Sequence, residues 1–319
     1  MSDKGRRTSN SRARPDAASR TAVVGLHKLP AVSGDPVPVR VEDNDVQDSA
    51  MGLWFKRNNT DYRVSGNTLT YNGDRIRVGW GDDAVAYAEF HNNTIANNGV
   101  GVNVSAAQYP PGPPVPVPQT DCGASLAYAG RATLRDNVIA DNGYGVLVRA
   151  WTPCNLATPS PWVVATRNNI TGNTYGVYVR GGVRQDGTVV PAWANLTGNN
   201  TISGNAYGVW IHGPTVDPTP GRFWMWWNDV AGNSVQGVHV EGDTSSWGPG
   251  VYFYTYCNWW NNSLGPHDLS PGPPDQNINP PGQLVSDYFW YRMTAPPPIG
   301  PQLWWLRAES QNATECKPP

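Results

Sequence analysis

Asparagine recurs along this chain at a fixed distance from a Gly-Val-x-Val run, and that repeat limits the possible folds more than any other feature. Each unit has an Asn, an apolar residue two positions on, a second Asn five positions on, and then the glycine run. It reads Asn93/Ile95/Asn98 with Gly101-Val102-Asn103-Val104, then Asn137/Ile139/Asn142 with Gly145-Val146-Leu147-Val148. It returns as Asn168/Ile170/Asn173 with Gly176-Val177-Tyr178-Val179, and as Asn200/Ile202/Asn205 with Gly208-Val209-Trp210-Ile211. Asn228/Val230/Asn233 with Gly237-Val238-His239-Val240 follows, and partial copies begin at Asn44, Asn67 and Asn258.

The shortest step, Asn44 to Asn67, sets a unit of about 23 residues, and longer steps carry insertions. Within a unit the short alternating runs have the period of two expected of a strand with one buried side. Three short strands per unit, each beside its equivalent in the next, make a parallel solenoid in which every coil buries an apolar face against its neighbours. The paired valines of the glycine run form the interior, and the asparagines are turn residues that stack into amide ladders. Composition agrees, since 34 Gly and 30 Pro leave little room for long helices. A net charge of −2 excludes a chain committed to nucleic acid along its length, and no apolar run is long enough for a membrane span.

This pattern resembles the right-handed parallel β-helix proteins, the pectate-lyase-like superfamily, over residues 37–262. The segment Cys257-Asn258-Trp259-Trp260 resembles the closing segment of secreted bacterial and archaeal β-helix repeat proteins, with Asn261 where Gly is usual. The resemblance implies an all-β fold: a single-stranded right-handed parallel β-helix of about eight coils with an irregular C-terminal cap. An Arg-rich arm over 1–36 precedes it, and a Pro/Trp-rich cap over 263–319 closes it. Such scaffolds include lyases, hydrolases, epimerases, copper-maturation proteins, adhesins and tail spikes, so the fold leaves activity open.

The insertions follow the glycine run in coil after coil, at about 106–130, 150–161, 181–192, 213–221 and 242–249, and so form a lip on one edge. Their Pro, Gly and Trp content predicts stiff, non-regular loops. Outward positions of the glycine strand form two rows. One is Arg77, Asn103, Leu147, Tyr178, Trp210 and His239; the other is Ser105, Arg149, Arg180, His212 and Glu241. Tyr144, Tyr175 and Tyr207 make a third aromatic row. Aromatic faces bordered by cations suit a glycan-binding groove, unless the insertions cover them as a second core. Tyr178, Trp210, His239, Arg149, Arg180, His212 and Glu241 are therefore the candidate ligand-binding residues.

Asn59-Thr60-Asp61 and Gly81-Asp82-Asp83 are similar to the first two motifs of the polygalacturonases, whose aspartates supply acid and base to an inverting hydrolysis. The 21-residue separation of Asp61 and Asp82 is close to one coil. Val100 stands where that family has histidine, however, and these aspartates fall after the strand. Asp61, Asp82 and Asp83, with Arg149 and Arg180, are the catalytic candidates, but none is assigned. No cofactor is implied beyond a Ca²⁺ ion on the aspartates, and the five histidines have no metal-binding spacing.

Cys122, Cys154, Cys257 and Cys316 lack the CxxC spacing of a zinc site. Their even number points to two disulfides, Cys122–Cys154 between adjacent coils and Cys257–Cys316 to the cap. Residues 1–20 hold no apolar run of the export-signal kind, yet the cysteines and composition favour an extracellular or cell-surface location. The favoured function is non-catalytic: polysaccharide binding, or end-to-end assembly as a structural subunit. The alternatives are a lyase or hydrolase acting on uronate-type glycans, and a periplasmic metal-handling protein of the copper-maturation type. Neither nucleic acid nor a membrane span enters as a partner.

Overall fold

The computed structural model describes residues 39–49, 52–55, 61–78, 85–109, 126–151, 160–183, 187, 189–212, 223–241, 252–256, 258, 267–268, 284–285, 289–291 and 302–305. Every element among them is a strand. The first coil holds β1 (Val39–Glu42), β2 (Asp45–Gln47) and β3 (Leu53–Phe55), and later coils repeat the same three-sided course. Each side pairs parallel with its equivalent in the next coil. β1 pairs with Asp61–Ser65, β2 with Thr68–Thr70, and β3 with Asp74–Val78. The architecture is the right-handed parallel β-helix expected from the repeat. The β1 side is called the leading sheet below, the β2 side the short sheet, and the β3 side the glycine sheet.

Two corners per coil are made by one device. Among the described residues, the residue before each ladder position takes a positive φ, as at Asp43, Asn92, Asp136 and Asn199 at the first corner and Asp48 (before Ser49), Asn97 and Asp141 at the second. This left-handed conformation reverses the chain within one residue. Asn and Asp enter it at low cost because their short side chains bond locally. Arg167, Trp227 and Tyr71 also adopt it, at a greater steric cost.

The asparagine that follows is buried in every coil but the first, where Asn44 is exposed. At the first corner the Nδ2 of Asn137 donates to the Oδ1 of Asn168 at 2.9 Å, and that of Asn168 to the Oδ1 of Asn200 at 2.9 Å. The backbone N–H of each reaches the same oxygen, at 3.0 and 2.9 Å. The second Nδ2 hydrogen turns back one coil, so that Asn168 donates to the carbonyl of Leu134 at 2.9 Å. This first ladder runs unbroken from Asn44 to Asn258. A second begins at Ser49 and runs through Asn72, Asn98, Asn142, Asn173 and Asn205 to Asn233. Turn groups that would otherwise be buried without partners are thereby satisfied.

Between the corners lies an unbroken apolar column. Val102, Val104, Val177, Val179, Val209 and Ile211 are fully buried on the glycine sheet, as are Ile95, Ile139, Ile170 and Ile202 on the short sheet. The leading sheet contributes Val64, Phe90, Leu134, Ala165, Leu196 and Met225. At about 1.5–3 kcal/mol for each large aliphatic or aromatic side chain, this column is the main favourable term. Phe55 packs on Tyr62 and Phe90, with centroids 4.9 and 5.7 Å away, and widens the core near the first coils.

The described parts of two insertions are paired strands, where non-regular loops were expected. Ala106–Tyr109 and Leu126–Ala129 form an antiparallel ladder, and Gly182–Val183 pairs with Val189–Val190 as a hairpin. Ala106, Ala129, Ala150 and Val190 make a small second core there. Backbone leaving a buried sheet must still pair its polar groups, which explains the added ladders. In the C-terminal region, short strands at Leu284–Val285 and Gln302–Trp305 continue two of the sheets, with Val238 opposite Val285 and Tyr254 opposite Trp304. The arm over 1–36 and the cysteines Cys122, Cys154, Cys257 and Cys316 lie outside the described residues, so the two disulfides stay expectations.

Asn168→Ala is expected to lower stability by about 2–4 kcal/mol, because it leaves the N–H and Nδ2 of Asn137 without their acceptor. Asn44→Ala, at the exposed head of the same ladder, is expected to cost about 1 kcal/mol or less. Urea midpoints at unchanged slope would show the contrast; equal losses would mean that the ladder does not act through its buried donors.

Candidate functional site

The outer face of the glycine sheet is set by its glycines. A Cβ placed on Gly176 would stand 2.5 Å from the carbonyl oxygen of Gly208 and 3.1 Å from Asn205. Neighbouring coils approach too closely at this corner for any other residue. The preceding tyrosine lies on the outside, where Tyr175 touches Tyr178 and Trp210.

The two outward rows have the expected register. Asn103 faces Leu147, which faces Tyr178, then Trp210 and His239. Ser105, Arg149, Arg180, His212 and Glu241 follow one another in the same way. The face divides in two along the axis. Arg77, Asn103, Ser105 and Leu147 are buried, with Asn103 wholly out of solvent. Arg149 and Arg180 are exposed, and Tyr178, Trp210, His212 and His239 are half-buried. The face is therefore covered over its early coils and open over its later ones.

On the open part the aromatic rings are packed on each other. Tyr144 and Tyr175 stack at 4.8 Å with 15° between planes, and Tyr175 and Tyr207 at 5.6 Å with 11°. Tyr178 and Trp210 stack at 6.3 Å, and the edge of Tyr207 meets Trp210 at 4.5 Å. His239 closes the series 4.1 Å from Trp210, with its Nδ1 2.5 Å from the Oε1 of Gln236. The rings of Tyr144, Tyr175 and Tyr207 are parallel to one another, and those of Tyr178 and Trp210 stand nearly perpendicular to them, at 77° and 80° from Tyr175. Together they form an aromatic wall beside two guanidinium groups.

Arg149 and Arg180 stand on adjacent coils, and parallel strands lie about 4.7–4.9 Å apart. Neither has an ion pair among the described residues. The side chain of Glu241 lies outside the described residues. The buried Nδ2 of Asn103 lacks a hydrogen-bond partner among them, while its Oδ1 accepts from the hydroxyl of Ser105.

Of the three aspartates named as catalytic candidates, Asp61 falls among the described residues. Asp61 opens the strand Asp61–Ser65 on the leading sheet, and its register partner in the next coil is Tyr87. It therefore does not follow a strand at a turn, the position expected from sequence. Asp82 and Asp83 themselves lie outside the described residues. Asp61 is also on a different sheet from Arg149 and Arg180. Among the described residues no group of three His, Cys, Asp or Glu side chains could hold a metal.

A second outward face escaped the sequence reading. On the leading sheet Tyr87 donates to or accepts from Thr133 at 3.1 Å and donates to Glu89 at 2.9 Å. Arg131 lies over the ring of Trp162 at 5.9 Å, Trp193 stands in register beyond it, and Trp224 is 37% exposed. At the corner Arg167 donates to both oxygens of Asp136 at 2.7 Å. That hydrogen bonding, with added charge attraction, holds Asp136 below the ordinary carboxylate range against a desolvation effect. The signal was present: apolar residues stand three and five positions before most lead asparagines, as Ala88 and Phe90 do before Asn93.

A family model described as a right handed beta helix region matches residues 32–214. No curated protein and no solved structure matches.

Asp229 stands in the row that holds Thr68, Thr94 and Thr201 in other coils, bridged to Thr201. Its Oδ1 is buried without a partner, and burial raises its pKa. The ionised form is therefore penalised in the fold at neutral pH, and the penalty disappears as pH falls through the raised pKa. Asp229→Thr is expected to be more stable than the parent at pH 7, by about 1 kcal/mol, with the advantage shrinking on acidification. Urea midpoints at pH 7 and pH 4 would show this, and an advantage independent of pH would refute it.

Proposed function

This chain belongs to the family of right-handed β-helices, and we propose that it uses that scaffold to bind a carboxylate-bearing polysaccharide without cleaving it. The observation that carries the reading is the exposed pair Arg149 and Arg180, one above the other and free of carboxylates among the described residues. Guanidinium groups bind carboxylates through two parallel hydrogen bonds. Their repeat along the axis matches a polymer presenting a charge at each of several successive units. The wall of Tyr144, Tyr175, Tyr207, Tyr178 and Trp210 gives the pair a fixed backing, since packed rings have little freedom to lose on binding. The tyrosine stack and Trp210 supply apolar contact, and His212 extends the polar row by one coil.

Support for a non-catalytic role is that acid–base cleavage of a glycosidic bond needs two carboxyl groups flanking it, whereas Asp61 opens a strand of the other long sheet from Arg149 and Arg180. The reading places the protein outside the cell or on its surface, where such polymers occur.

Titration with polygalacturonate, followed by tryptophan fluorescence and calorimetry, tests the proposal. Binding is expected to weaken with salt, and Arg180→Ala to reduce affinity about tenfold or more, the worth of one charge-assisted hydrogen bond. Affinity indifferent to Arg149→Ala and Arg180→Ala would end the reading. New reducing ends or unsaturated, ultraviolet-absorbing products would instead make the protein a hydrolase or a lyase.

A further inference from the structure

We propose that two copies of this chain associate through their first coils, related by a twofold axis, with β1 of each pairing antiparallel to β1 of the other. Among the described residues β1 pairs only with Asp61–Ser65, β2 only with Thr68–Thr70 and β3 only with Asp74–Val78. The far edge of each presents backbone donors and acceptors to whatever lies beyond the coil, and such an edge is a template for another strand. Within the same coil a hollow of about 510 Å³ is lined by Val41, Val46 and Leu53 together with Arg40, Glu42 and Asp45. The apolar column of the solenoid thus reaches its end with nothing among the described residues stacked upon it.

The charges on β1 favour a second copy as the occupant. Arg40 and Glu42 alternate with Val41 and form an exposed ion pair at 3.3 Å, their side chains 61% and 42% exposed. Antiparallel pairing centred on Val41 puts Arg40 opposite Glu42 of the second copy and Glu42 opposite its Arg40, while Val41 meets Val41. Directly opposed unlike charges on one sheet face are favourable, and like charges in the same places are not. One edge, offered twice, therefore complements itself, as a twofold interface requires.

Sedimentation velocity of the full chain, from about 1 to 100 µM, reads the result directly. The parent is expected to dimerise with rising concentration. Arg40→Glu and Glu42→Arg, each placing like charges together twice across the axis, are expected to weaken the dimer about tenfold or more. The double swap Arg40→Glu/Glu42→Arg is expected to restore it, with unchanged circular dichroism in all three variants. A parent that stays monomeric would overturn the proposal, leaving the first coil to the preceding residues or to another protein. Dimerisation indifferent to the single swaps, or not restored by the double, would overturn it equally.

Discussion

Stacked asparagine is the constraint on which the rest of this structure depends. Each ladder residue takes two hydrogen bonds on its oxygen from the coil before and spends its amide on the coils either side. Coil spacing at the corners is therefore set by side-chain geometry as well as by the sheets. Insertions can lengthen a coil, as the 44-residue step from Asn93 to Asn137 does, without disturbing the register at the corner. Variation is accordingly confined to the third side, where the chain leaves the glycine sheet.

The register has a chemical consequence on the outer face. Equivalent residues fall on top of one another, so like side chains are forced into columns. For tyrosine this gives ring stacking, at 4.8 and 5.6 Å from Tyr144 to Tyr207. For arginine it gives two like charges about one strand spacing apart, a placement that is unfavourable alone and becomes useful once an anion lies between or across them. The same periodicity that satisfies the backbone thus turns a surface of the solenoid into a linear array, with its repeat set by the parallel sheet.

The two long sheets differ in how they treat this periodicity. On the middle coils of the glycine sheet the columns run in kind, with Tyr144, Tyr175 and Tyr207 in one and Arg149 and Arg180 in another. On the leading sheet they change along the axis, from Tyr87 and Arg131 to Trp162 and Trp193. The early coils of the glycine sheet are buried at Asn103 and Leu147, whereas the later ones are open. Paired strands and a hairpin from the insertions gather Ala106, Ala129, Ala150 and Val190 at that edge.

Much of this was legible in the chain itself. Asn five positions after Asn, followed by Gly-Val-x-Val, specified the coil, the buried valines, the ladders and the register from Asn103 to His239, because each is a local consequence of period-two strands between fixed turns. Sequence spacing could not show that Asp61 stands in register with Tyr87, since insertions of variable length separate position in the chain from position on the helix. Nor could it fix where the tyrosine rings point, because the close approach at Gly176 breaks the alternation of the strand just there. Local pattern determined the solenoid; contacts between coils far apart in the chain decided which of its columns are open, which are covered, and which charges stand together.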